Sequence, residues 1–167
     1  MLIPFGMNIK SAVTGLFSNN RGKVSIKRTF SPNYTKTNDK EKPFMLKEDA
    51  GYSVTYTDEN GKEYNYYIKI PKNYKWDGAS IPSSLNWLIG EKDKEEFIEA
   101  SLVHDYLCEN KSLIGNNRAL SSSIFSALLR YNGTGSKKAG LMALAVDWYQ
   151  YCFADWKDNT HKMEYVA

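Results

Sequence analysis

Tyr52-Ser53-Val54-Thr55-Tyr56-Thr57-Asp58-Glu59-Asn60-Gly61-Lys62-Glu63-Tyr64-Asn65-Tyr66-Tyr67-Ile68-Lys69-Ile70 decides the architecture of this chain. Tyr52, Val54 and Tyr56 alternate with smaller polar residues on one side of the stretch, and Tyr64, Tyr66, Ile68 and Ile70 alternate on the other. Successive side chains of a strand point to opposite faces, so a period of two marks a half-buried strand. Asp58-Glu59-Asn60-Gly61 separates the runs, and Asn-Gly between two alternating runs is a strong hairpin signal. Pro71 ends the second strand because it has no N–H to offer the ladder. Ser53, Thr55, Asn65 and Tyr67 fall on the wet face.

Upstream, Val24 to Phe30 alternates basic with apolar or hydroxyl side chains, which suits an edge strand guarded by Lys23, Lys27 and Arg28. Residues 31–42 read as a polar loop. Downstream the period changes from two to that of a helix. Ser83 or Ser84 can cap a single turn through Trp87 that Gly90 stops. Asp93 to Cys108 carries apolar residues at 97, 98, 102, 103, 106 and 107, a helical stripe with an acidic outer face. Asn116 or Asn117 caps the next helix, whose Leu120, Ile124, Leu128 and Tyr131 share a face and which Asn132-Gly133 ends. Ser136 caps a last helix, Lys137 to about Trp156, apolar nearly all round and therefore expected at the centre. The fold class is α+β: a small antiparallel sheet with a Tyr-rich hairpin, followed by three packed helices. The expected organisation is an N-terminal arm at 1–20, a single domain at 21–160 and a C-terminal tail at 161–167.

A chain of 167 residues with 42% hydrophobic content builds a packed core. No run approaches the roughly 20 apolar residues of a membrane-spanning helix, and residues 1–15 do not read as a secretory signal. The net charge of +3 is uneven, because residues 1–50 hold nine Lys/Arg against four Asp/Glu. That basic front half could touch nucleic acid, but no arginine-rich block or RNA-binding signature supports it, and a solvated polar face is the favoured explanation. Cys108 and Cys152 are too few for a cysteine-built metal centre and read as reduced, buried small hydrophobes.

Two short runs carry the chemistry. Trp76-Asp77-Gly78-Ala79-Ser80-Ile81-Pro82 leaves the sheet, with Gly78 permitting a backbone closed to other residues and Pro82 fixing the exit. Such a turn can aim Asp77 and Ser80 at one point, or it can simply cap backbone amides at a helix entry. Leu102-Val103-His104-Asp105-Tyr106 puts a His-Asp pair inside an apolar helix, which costs several kcal/mol unless both groups find partners. His104 shares a stripe with Phe97, Ser101 and Cys108, and Asp105 sits about 100° round. A neutral imidazole there can serve as general base or metal ligand. The two side chains diverge on a helix, so an acid that orients His104 is expected from Asp77, or from Asp147 or Asp155 on the last helix. A Ser80–His104–Asp77 triad is possible in composition, but no Gly-x-Ser-x-Gly elbow specifies it.

Asp77-Gly78-Ala79-Ser80-Ile81-Pro82 and His104-Asp105-Tyr106-Leu107, in this order, resemble an uncharacterised family common in bacteriophage and prophage genomes, number 1353 among the domains of unknown function. The resemblance covers about residues 50–132. Arg118 and Phe125 fit its next helix, whereas Cys108 stands where the family has Tyr and Ser122 where it has Asp. The resemblance implies a phage or prophage origin and supplies no reaction.

Two functions follow as expectations. In the first, a phage-encoded accessory protein holds a polar pocket in which His104, Asp105, Asp77 and Ser80 carry metal-assisted or His-based hydrolysis, and His104, Asp77 and Asp105 ligate a divalent cation. In the second, the same residues form a buried structural network in a non-enzymatic virion or assembly component. The expected partners are other phage proteins or a second copy, and the expected location is the host cytoplasm during phage production, or the virion.

Overall fold

The computed structural model describes residues 22–78, 95–153 and 156, with the side chains of Cys152 and Phe153 excepted. The expected arm at 1–20, the turn at Ser83–Trp87, Ser80, Asp155 and the tail lie outside these residues.

Among the described residues two three-stranded antiparallel sheets precede the helices. The larger joins β1 (Lys23–Phe30), β4 (Ala50–Thr57) and β5 (Glu63–Ile70) in the order β1-β4-β5. Its hairpin follows the alternation: Tyr52 faces Ile68, Val54 faces Tyr66 and Tyr56 faces Tyr64 across the ladder. Tyr52, Val54, Ile68 and Ile70 are all buried, while Ser53, Asn65 and Tyr67 are exposed on the other face. The turn is longer than a two-residue hairpin. Asp58 Oδ1 accepts the Asn60 and Lys62 amides, and Gly61 takes φ +80°, where a glycine has no Cβ to clash.

The smaller sheet was not expected. It pairs β2 (Tyr34–Lys36), β3 (Phe44–Leu46) and β6 (Lys75–Trp76). The stretch read as a polar loop therefore contains a strand, which aromatic packing holds: Tyr34 meets Phe44 and Trp76 edge-on at 6.1 and 5.9 Å.

Among the described residues the helical half has α1 (Glu95–Glu109), a 3₁₀ turn (Lys111–Ile114), α2 (Arg118–Tyr131) and α3 (Ser136–Phe153). Asn117 caps α2 by accepting the Leu120 amide at 2.9 Å, and Asn132 closes it with its own amide. The expectation of a central last helix is corrected. α2 packs against α1, α3 and β1, whereas α3 leaves Leu141, Trp148 and Tyr151 exposed. α1 is the enclosed helix, with residues 97–105 all buried, including Glu99 on what was read as its acidic outer face.

Candidate functional site

The site begins at the end of β6. Trp76 is buried, its indole Nε1 donates to the Ile98 carbonyl at 3.2 Å, and its rings stack on Phe44 at 5.5 Å. Tyr74 lies parallel to Trp76 and meets Tyr106 of α1 edge-on at 5.1 Å. These contacts clamp the strand end to the first turn and the last half of α1. Gly78 then takes φ +86°, and a Cβ there would lie 2.3 Å from the Phe44 ring. Only glycine turns the chain so tightly over Phe44. Asp77, held between Trp76 and Gly78, reaches the rim of a cleft of about 360 Å³ lined by Glu41, Lys42, Trp76, Asp77, Asp105, Cys108 and Glu109.

The loop and helix residues singled out from sequence thus meet in part. Asp77 and Asp105 line one cleft. His104 stands behind that wall at 2% exposure, its ring edge-on to Phe125 of α2 at 5.5 Å. Its Nδ1 is 3.9 Å from Asp105 Oδ1, close enough for charge to be felt and too far for a hydrogen bond. Asp105 thus lies near His104 without a hydrogen bond to orient it, and Asp155, another acid considered for that task, lies outside the described residues. Asp147 is engaged elsewhere. Cys108 is also corrected: it is half-buried at the cleft, with its sulfur 3.7 and 3.8 Å from the two ring nitrogens of His104. Among the described residues no three His, Cys, Asp or Glu side chains are grouped so as to hold a metal ion.

The cleft is acidic. Among the described residues that line it, Glu41, Asp77, Asp105 and Glu109 face one cation, Lys42, which bridges to Glu109 at 3.1 Å. Both partners of that bridge are half exposed, so it contributes under about 1 kcal/mol. The Tyr74 hydroxyl registers the same environment: burial first, then the Glu109 and Asp105 charges, push its pKa upward.

Two polar clusters escaped the sequence reading. Arg28, read as a solvent guard on the edge strand, instead reaches inward to Glu99. Its Nε donates to Glu99 Oε1 at 2.6 Å, and its Nη2 donates to Glu99 Oε2 and Asn132 Oδ1. Tyr52 Oη and Asn132 Nδ2 also donate to Glu99, at 3.0 and 2.7 Å. The Glu99 hydrogen bonds raise the Arg28 pKa, and burial raises that of Tyr52. Parity was the available signal, since Arg28 shares the inward face of β1 with Val24 and Ile26. In the second cluster Arg118 pairs with Asp147 through both its carboxylate and its carbonyl, and Ser122 Oγ donates to Asp147 Oδ1 at 3.1 Å.

The chain belongs to the family described as Protein of unknown function (DUF1353), whose model matches residues 52–146, a span that contains both the loop and the His104 helix. An uncharacterized protein, y4jT, of Sinorhizobium fredii (strain NBRC 101917 / NGR234) is 33% identical over 95 residues. That stretch covers 57% of this chain and 26% of the relative, so the chain spans about a quarter of the length of the curated relative it matches. No solved structure matches the chain.

Proposed function

We propose that the chain is a phage- or prophage-encoded accessory protein that acts through the cleft between β6 and α1. The observation that carries this reading is the convergence of Asp77, from a loop that only Gly78 permits, with Asp105 from the helix that holds His104. A buried imidazole behind a wall of carboxylates suits hydrolytic chemistry on a small, positively charged substrate, with His104 as the base and Asp77 and Asp105 as the groups that hold the substrate. Melting wild type and Asp77→Asn with and without small cationic ligands and divalent cations tests it. Stabilisation of wild type by several degrees that Asp77→Asn loses supports the reading, and ligands that shift both proteins equally oppose it.

The second reading, a virion or assembly component, is favoured by one observation. Leu141, Trp148 and Tyr151 lie on one face of α3 at 41%, 55% and 61% exposure. Contiguous exposed apolar side chains mark interaction surfaces. Stoichiometric amounts of the protein in purified particles, or self-association lost in Trp148→Glu, would favour this function.

A further inference from the structure

α3 packs chiefly on α2 and turns a stripe of side chains away from the fold. The stripe is Lys137, Leu141, Leu144, Trp148 and Tyr151, spaced four, three, four and three residues apart. That alternation averages 3.5 residues, the period of a seam between two helices, and it keeps all five within a quarter of the helix circumference. Leu141, Trp148 and Tyr151 are exposed and Leu144 is half-buried. Lys137 is the stripe's one charge, because Lys138 lies over the Phe97 ring and Asp147, the only acid of α3, is buried against Arg118. The Arg118 guanidinium also sits 5.3 Å from the centroid of the Tyr151 ring, which holds that exposed side chain in place before anything meets it. The described chain beyond the helix leaves the stripe open. Trp156 donates its indole N–H to Gln150 Oε1 at 2.9 Å, and Gln150 is buried on the far side of α3 from Trp148.

We propose that this stripe is a self-association surface along which two copies of the chain pair with their α3 helices antiparallel. Size and charge along the stripe select both the partner and its direction. The smaller Leu141 and Leu144 occupy its N-terminal half, and the large rings of Trp148 and Tyr151 its C-terminal half. A parallel pair would set Trp148 on Trp148 and Lys137 on Lys137. An antiparallel pair, about a twofold axis between Leu144 and Trp148, sets Leu144 of each copy against Trp148 of the other and Leu141 against Tyr151, small against large at every layer. Lys137 then passes Tyr151 and reaches the last turn of the other copy's α3. The carbonyls there carry the negative end of the helix dipole, and no basic residue of that turn answers it. A seam of this length buries roughly 500 Å² per copy against the roughly 800 Å² of a standard interface, so the dimer forms in the micromolar range.

The inference rests on the exposed face that favours the assembly reading and names a second copy as what covers it, but it needs neither a virion nor the cleft. Sedimentation equilibrium of the full chain from roughly 1 to 200 µM is the test. Wild type should pass from monomer to dimer over that range. Trp148→Glu should weaken the dimer at least about tenfold and leave the far-ultraviolet circular dichroism unchanged, because the side chain is exposed. Leu141→Lys and Tyr151→Glu should each weaken it as well. The double variant should recover most of the loss, since only an antiparallel pair brings residue 141 of one copy to residue 151 of the other. A wild type that stays monomeric throughout overturns the inference, and so does a dimer indifferent to Trp148→Glu. A dimer lost in Trp148→Glu but not recovered in the double variant overturns the antiparallel seam. A charge-rescued dimer in a protein absent from purified particles supports the inference while the virion reading falls.

Discussion

Arg28–Glu99, whose carboxylate is buried and whose guanidinium is partly exposed, and the buried His104–Asp105 are both pairs of oppositely chargeable groups on or against α1, and they are built in opposite ways. Around Glu99 the carboxylate accepts from Arg28, Tyr52 and Asn132, all within hydrogen-bond range. Around His104 the polar contacts run from 3.7 to 3.9 Å. One cluster ties β1, β4, α1 and the end of α2 together and leaves nothing for a ligand. The other faces a cleft through Asp105 and Cys108 and holds its imidazole only by the long sulfur contacts of Cys108. Full satisfaction is what a fold requires of a buried charge, and a pair held loosely beside an opening is what chemistry requires.

Stability should divide the two. Glu99→Gln removes the counter-charge of Arg28 while keeping the volume and should cost about 3 kcal/mol, the usual loss when one member of a buried pair is deleted, measured by urea denaturation. Gly78→Ala forces a side chain into φ +86° and against Phe44. It should cost about 2 kcal/mol and also disturb ligand stabilisation at the cleft, visible in the same melts that test Asp77.

Alkaline pH probes both regions at once. Burial raises the pKa of Tyr52 and of Tyr74 above the ordinary value of 10.0. Below pH 10 each is protonated folded or unfolded, and its contribution is constant. Above pH 10 the unfolded chain releases these protons and the folded chain does not, so stability falls by about 1.4 kcal/mol per pH unit for each tyrosine. Tyr52→Phe should cost about 1 kcal/mol at neutral pH through the lost bond to Glu99 and should make the alkaline loss shallower by one tyrosine, as equilibrium denaturation between pH 9 and 11 would show. His104→Gln, which gives up only long contacts, should cost about 1 kcal/mol or less.

The hairpin and the helices were legible because long runs carry their period. Tyr52 to Ile70 kept its alternation through every ladder pair, and the Asn117 cap and Asn132 ending fell where the side chains said they would. The smaller sheet was not legible, because strands of two or three residues have no period to read, and Trp76 and Phe44 hold them by tertiary stacking. The acidic face of α1 misled because Glu99 looks like any solvated acid until a partner strand supplies Arg28. The contact between His104 and Cys108 could be read from their four-residue spacing. What the spacing could not show was that Cys108 meets solvent at a cleft, since β6 and the loop before β3 build its far wall.

If Glu99 belongs to the structural frame and His104 to a site, their loss must cost the fold different amounts. Urea denaturation of wild type, Glu99→Gln and His104→Gln under one set of conditions tests it most directly. Glu99→Gln should lose about 3 kcal/mol and His104→Gln about 1 kcal/mol or less. Equal losses, or a greater loss for His104→Gln, would contradict it and make the His104–Asp105 pair part of the structural frame.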